Sequence, residues 1–339
     1  MSRLAYLAKR LAMSVFVLWF GTSMTFLIIR VGPINPAAAI MGITGDPQSK
    51  QKYRQIRREL GLTQPLHEQY IEFMADLFTL QLGRSWVLFP GRSTVDLIAL
   101  YAPRTLWLGF WSVTVALVIG IPLGFYAGLR SNTRRDYLAS FGGIVWRAMP
   151  NFWLAIVLIG LLSQSKQLVG VSWERLVVTT NIIGPPGIAS VGTVDALVAA
   201  MKKILPPALV LGSASMGNEL RIGRTAVVET VSDAYVDTAK MKGVPSRVVV
   251  WKHVFRNALI PLIPVITSEA FLLIGGSVLV EVIFGINGIG YLFYRATVQG
   301  DIPLATSLMF VFIAVLVGVN ILQDIAYTVV DPRVGYDAE

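Results

Sequence analysis

The chain has 339 residues, 54% of them hydrophobic and 14% charged, with a formal net charge of +9 and a mean hydropathy of +0.63. Soluble domains carry about 25% charged residues, so these values point away from a soluble fold, and the absence of cysteine removes disulfides, thiolate chemistry and cysteine-bound metals. Six apolar stretches approach the roughly 20 residues a helix needs to cross a bilayer, which predicts an all-α polytopic membrane protein with six transmembrane helices.

The first stretch, 11–29, is uncharged and follows Arg3, Lys9 and Arg10. It is longer than the apolar core of a signal peptide, and IIRVGPINP offers no clean small-residue cleavage site, so it reads as a retained anchor. A long segment, 31–100, comes next. Within it SKQKYRQIRRELG has a helical pattern with Gly61 as its stop, and LTQPLHEQYIEFMADLF resumes an amphipathic pattern after Pro65, with Leu66, Tyr70, Phe73 and Leu77 at helical spacing. Two readings stay open for this segment: a small subdomain packed on the spans, or a docking surface.

The remaining stretches are 105–129, 137–165 (broken only by Arg147), 204–218 (continuing past Glu219), 257–280 (holding Glu269) and 302–323. Pro122, Gly124, Pro150, Pro206, Pro207, Pro261 and Pro264 fall inside them. Packed membrane helices tolerate such residues, so kinks suited to a moving pathway and ordinary membrane composition are equal readings.

Basic residues set the orientation. Three lie at the N-terminus, three in 130–136, and seven against three acidic residues in 221–256, whereas 285–302 holds only Arg295. Both termini and the 221–257 loop are therefore expected in the cytoplasm and 31–100 outside. This distribution accounts for the positive charge without nucleic acid.

No reaction centre is evident. His67 and His253 are the only histidines, no G-x-x-x-x-G-K-[ST] phosphate loop occurs, and GINGIG at 285–290 opens no βαβ unit. The informative feature is the polar loop. There Ser232 and Asp233 are placed to cap a short helix, Tyr235, Val236 and Ala239 form an apolar ridge, and Gly243 followed by Pro245 ends it. A ridge of that kind suits a groove on a partner, and a solvated loop helix fits the same residues equally.

TAVVETV, YVDTAKMKG and RNALIP in this loop resemble the signature of the membrane permease subunits of ABC importers, in the peptide, dipeptide and nickel branch and of its first-permease type. LAKRLAMSVFVLWFGTSMTFLIIRVGPINPA, EVIFGINGIGYLFYRATVQGDIP and DIAYTVVDPRVGY extend the likeness over nearly the whole chain. Asp237 and Met241 depart from it, standing where a basic and a small residue are common. The resemblance implies a domain plan of 1–30 (N-terminus and first helix), 31–100 (exterior segment), 101–330 (five-helix core with the 221–257 coupling loop) and 331–339 (cytoplasmic tail).

It further implies an inner-membrane importer. The partners would be a homologous second permease, two cytoplasmic ATP-binding subunits that hold ATP and Mg²⁺, and an exterior solute-binding protein. Tyr235, Val236, Asp237, Thr238, Ala239, Lys240, Met241, Lys242 and Gly243 would form the coupling helix against an ATPase, and Arg256, Asn257 and Pro261 the exit of the loop. The substrate would be a small solute, with di- or oligopeptides favoured over nickel chelates or sugars. Glu269 is a carboxylate in mid-span, where charge is expensive. It could be neutral, pair with a cation such as Arg147, line the pathway, or lie nearer an interface. A gradient-driven secondary transporter or channel is the alternative built on the same six spans.

Overall fold

A computed structural model describes residues 3–31, 54, 58, 61–170, 173, 194–268 and 278–330. Among these the architecture is helical, with a single isolated β-bridge between Arg84 and Ser93. Three helices are long and apolar enough to cross a membrane, Ala8–Arg30, Thr94–Leu129 and Ile302–Ile325, or up to five if each of two bent helix pairs is one span. Of the other expected stretches, 204–218 lies inside a longer helix. The stretch 257–280 includes 269–277, outside the described residues.

The chain divides into two compact units that do not follow chain order. The first comprises 1–103, 288–321 and 335–339. Its core is the contact of α1 (Arg3–Val31) with α2 (Leu66–Phe78). Buried Phe26 meets the rings of Tyr70 and Phe73 at 5.4 and 5.2 Å, and the Ser23 and Tyr70 hydroxyls are 2.7 Å apart. Of the helical spacing read at 66–77, Tyr70, Phe73 and Leu77 are on the face that packs, with Met74 and Leu77 buried, whereas Leu66 is 45% exposed.

The loop after α2 is centred on one buried side chain. Asp301 is fully buried and accepts from the Ser85 hydroxyl and from the backbone N–H groups of Trp86, Val87 and Leu88 at 3.0, 3.1 and 2.9 Å. Its own carbonyl accepts from Ala305 in the first turn of α8 (Ile302–Val330). A carboxylate offers about four acceptor sites, so one residue satisfies a whole turn of backbone donors.

The second unit comprises 104–287 and 322–334. It holds most of α3 (Thr94–Leu129), then α4 (Arg134–Ala148), α5 (Asn151–Ser163) and the 38-residue α6 (Val194–Val231). The run expected as one span over 137–165 is instead two helices meeting at 99°. Pro150 is the cause: it disfavours helical backbone at the preceding residue, and Met149 is extended at φ −79°, ψ 125°. Pro206 and Pro207, by contrast, are buried inside α6 without ending it.

Glycines let α3 and α6 approach. A Cβ at Gly120 would lie 2.6 Å from Glu219 Oε2, at Gly124 2.6 Å from the Leu220 carbonyl oxygen, and at Gly128 2.6 Å from Val227 Cβ. This is the small-residue packing of membrane helices, in which dispersion between backbones replaces the hydrophobic effect.

Candidate functional site

Helix α6 continues past the membrane-like residues to Val231, and α7 (Ala234–Met241) follows after a two-residue break. The chain then returns through short helical pieces over 246–268, including a π-helical turn at Val249–Val254. The 3-10 turn Ile260–Leu262 contains Pro261, which has no backbone N–H to continue the ladder.

The two ends of α7 are built differently. Asp233 is the N-cap, yet its side chain makes no capping bond; its carbonyl accepts from Val236 at 2.9 Å and Asp237 at 3.3 Å. Ser232 is turned back, its hydroxyl donating to the Val228 carbonyl at 3.0 Å. Neither expected side-chain cap forms, because the backbone turn already occupies those donors. The other end matches expectation. Gly243 has φ +74°, its N–H reaches the Lys240 carbonyl at 3.0 Å, and the Val244 N–H reaches Ala239 at 3.2 Å. That pair of bonds is a Schellman closure, which needs the left-handed backbone glycine supplies.

Two of the three residues of the apolar ridge read from the sequence face inward, and Tyr235 faces out. Val236 is 0% and Ala239 7% exposed, packed with Phe125, Ala226, Val227, Val249, Val254, Ala258 and Leu262. These two residues are thus spent inside the chain rather than offered to a partner groove. Alternation of apolar positions identifies a face, not the body that covers it. The outward face is Tyr235 (41% exposed), Asp237, Thr238, Lys240, Met241 (81%) and Lys242, continued by exposed Val248 and Trp251. Lys240 is 3.0 Å from Asp237, an exposed pair one turn apart.

Two of the expected residues are brought together. Asn257 Nδ2 donates to the Tyr235 hydroxyl at 2.8 Å and to the His253 carbonyl at 2.9 Å, linking the return segment to the first turn of α7. Arg256 and Pro261 are exposed nearby in sequence. Arg147 lies in the last turn of α4 and is exposed, so within this chain it is not a buried charge. Glu269 lies outside the described residues.

Three residues of this loop and its base, Asp136, Arg224 and Trp251, were not singled out by sequence reasoning. Asp136, buried in the first turn of α4, accepts from Arg224 Nε at 2.5 Å and Nη2 at 2.7 Å, and from the Asn132 N–H at 2.9 Å. The Arg224 guanidinium holds its carboxyl down at about 2. Thr133-x-x-Asp136 has the spacing of a helix start, and Asp136 is the one acid among Arg130, Arg134 and Arg135. That was the available signal. The third missed residue is Trp251, 60% exposed and in ring contact with Phe255 at 5.0 Å.

Among the described residues no group of acidic and histidine side chains could hold a metal. The loop is a packed helical segment with an exposed polar and basic face.

Comparison with known proteins bears on this geometry. Residues 120–336 match the family described as binding-protein-dependent transport system inner membrane component, and 3–87 match the N-terminal model of such membrane components. The chain is 31% identical to the dipeptide transport system permease protein DppB of Alkalihalophilus pseudofirmus over 98% of this chain and 100% of that one. It is 31% identical to the oligopeptide transport system permease protein AppB of Bacillus subtilis over 98% and 99%. To the probable D,D-dipeptide transport system permease protein DdpB of Escherichia coli it is 31% identical over 92% of both.

Proposed function

The chain belongs to the family of binding-protein-dependent transport system inner membrane components, and on that premise we propose that it is one of two permeases of an ATP-driven importer of di- or oligopeptides. The relatives' names support the substrate class. Partners would be a second permease, two ATP-binding subunits on the cytoplasmic side and an exterior solute-binding protein; ATP and Mg²⁺ would sit on the ATP-binding subunits. Both termini and α7 would face the cytoplasm, following the arginine and lysine asymmetry. Nothing observed favours a gradient-driven carrier.

One observation carries the mechanical part of this reading: α7 is packed into α3, α6 and the return segment by Val236 and Ala239, while Tyr235, Met241 and Lys242 stay exposed. A partner engaging the outer face would push on a helix that shares one core with the spans. Displacement would pass through Val227 on α6 and Phe125 on α3, since close-packed cores transmit strain rather than absorb it. The basic residues Lys240, Lys242 and Arg247 would meet an acidic rim.

The native chain has no cysteine, so Met241→Cys gives a single reactive thiol. In the assembled complex it should cross-link to an ATP-binding subunit, whereas Ile71→Cys, also exposed but on α2, should not. Cells deleted for the chain should lose uptake of labelled dipeptide and regain it with the wild-type gene. Uptake that persists after deletion, or a complex that transports without any Met241→Cys adduct, overturns the reading.

A further inference from the structure

In the first unit a cavity of about 450 Å³ lies where the end of α1 meets α2, residues 81–86 and the start of α8. Small-molecule sites fall in the range of about 300–1,000 Å³. Its lining carries both signs of charge: Arg30, Arg58 and Arg84 on the one hand, Glu72 and Asp76, four apart on α2, on the other. Arg84 already donates to the Gly91 carbonyl at 2.7 Å. Arg30 is different. It is half-buried, and its Nη1 is buried without a hydrogen bond among the described residues.

Glu72 acts on the Arg30 guanidinium electrostatically, yet the two make no direct ion pair among the described residues. Opposite charges that line one cavity without touching leave room for a group between them. A buried donor of a charged group without an acceptor is costly, so an anion at Arg30 would be favoured. A bare anion would at the same time be repelled by Glu72 and Asp76. A group carrying an anion at one end and an ammonium at the other satisfies both walls.

We propose that this cavity binds a zwitterionic group, its phosphate or carboxylate on Arg30 and Arg58 and its ammonium on Glu72 and Asp76. Two sources share that chemistry: the headgroup of an ethanolamine phospholipid, and a free amino acid or dipeptide. Arg30 closes the apolar stretch Ala8–Arg30, which puts its side chain at the depth where arginine reaches the headgroups. Leu27 and Ile28 beside it are 40% and 71% exposed, and Phe26 and Phe73 provide an apolar wall.

The test uses the full complex in nanodiscs of phosphatidylethanolamine mixed equally with phosphatidylglycerol, with retained lipid read by native mass spectrometry. In parallel, thermal protection by glycylglycine is measured in nanodiscs of phosphatidylglycerol alone. Wild type should retain the ethanolamine lipid preferentially, and Arg30→Gln should lower that retention about tenfold, the size expected for a charged hydrogen bond. Glu72→Gln should lower it too, which keeps the test informative if the arginine variant fails to assemble, and Arg30→Lys should restore part of it. Protection by glycylglycine that vanishes in the same variants supports the soluble source instead. Equal retention of both lipids with no glycylglycine effect, or retention and protection unchanged by both substitutions, overturns the proposal.

Discussion

Two polar loops leave the helices of this protein, and they are anchored by opposite means. The 83–93 loop is held by directional hydrogen bonds, centred on a buried carboxylate, Asp301, which collects one hydroxyl and three backbone N–H groups, with the Arg84 side chain on the Gly91 carbonyl beside it. The 232–258 loop is held by apolar burial, with Val236, Ala239, Val249 and Val254 in one core and its polar side chains turned outward. A carboxylate anchor fixes direction and distance, and fails as a unit when its acceptor is removed. An apolar anchor is non-directional and loses strength in proportion to the area removed. The first suits a loop that must keep its shape, the second a segment that must stay attached while forces act on it.

The largest expected effect is at the carboxylate. Asp301→Ala leaves four donors without their acceptor, and should destabilise the first unit by about 3 kcal/mol or more, read as a lowered Tm of the purified complex and new proteolysis within 83–93. If Asp301→Ala unfolds at the wild-type temperature, the loop is held by something else and the contrast collapses. The pair at Asp136 is the next test. Its carboxyl is held near pH 2 in the folded chain against about 3.9 for a free one. The stabilisation is therefore complete above about pH 4 and lost as the pH falls toward 2, on the order of 2 kcal/mol. Asp136→Asn should flatten that limb of an acid-unfolding curve, and a curve parallel to wild type would count against the pair.

Val236→Ala and Met241→Ala sharpen the division between the two faces of α7. The first empties part of a core and should cost about 2 kcal/mol, lowering Tm. The second should change Tm by less than about 0.5 kcal/mol worth of stability while reducing ATP-driven uptake. The reverse order would mean that the outer face is structural. Smallest is Tyr235→Phe, which removes the acceptor for Asn257 and should cost about 1 kcal/mol, measured by the same unfolding experiment; Asn257→Ala should cost slightly more, because it also deletes the bond to the His253 carbonyl.

What the sequence made legible was local. The apolar runs at 11–29, 105–129 and 302–323 became long helices, and Gly243 ended α7 through the closure its backbone freedom allows. The helical spacing held for Tyr70, Phe73 and Leu77, though not for exposed Leu66, because periodicity reports the face of one helix. What stayed hidden depended on partners distant in the chain. Ser85 and Asp301 are 216 residues apart, and Asp136 and Arg224 88 apart. The inward direction of Val236 belongs to the same class, since an apolar stripe is the same stripe whether a neighbour in the chain or another protein covers it. The bend at Met149–Pro150 was a matter of weighing: one proline in a strong apolar run was read as tolerated, and at Pro206 and Pro207 that holds, whereas at 150 the chain turned.

The glycine contact between α3 and α6 has a mechanical side. Helices that meet through large side chains interlock, ridge into groove, and a change of crossing angle must lift one row over the next. Where Gly120 and Gly124 meet the backbone at Met216 and Leu220, there are no side-chain teeth on the α3 surface. Such a seam works as a plain bearing: stiff against compression, smooth along its length. A methyl group at Gly124 would turn the bearing into a ratchet, and the two helices would then slide in steps or not at all.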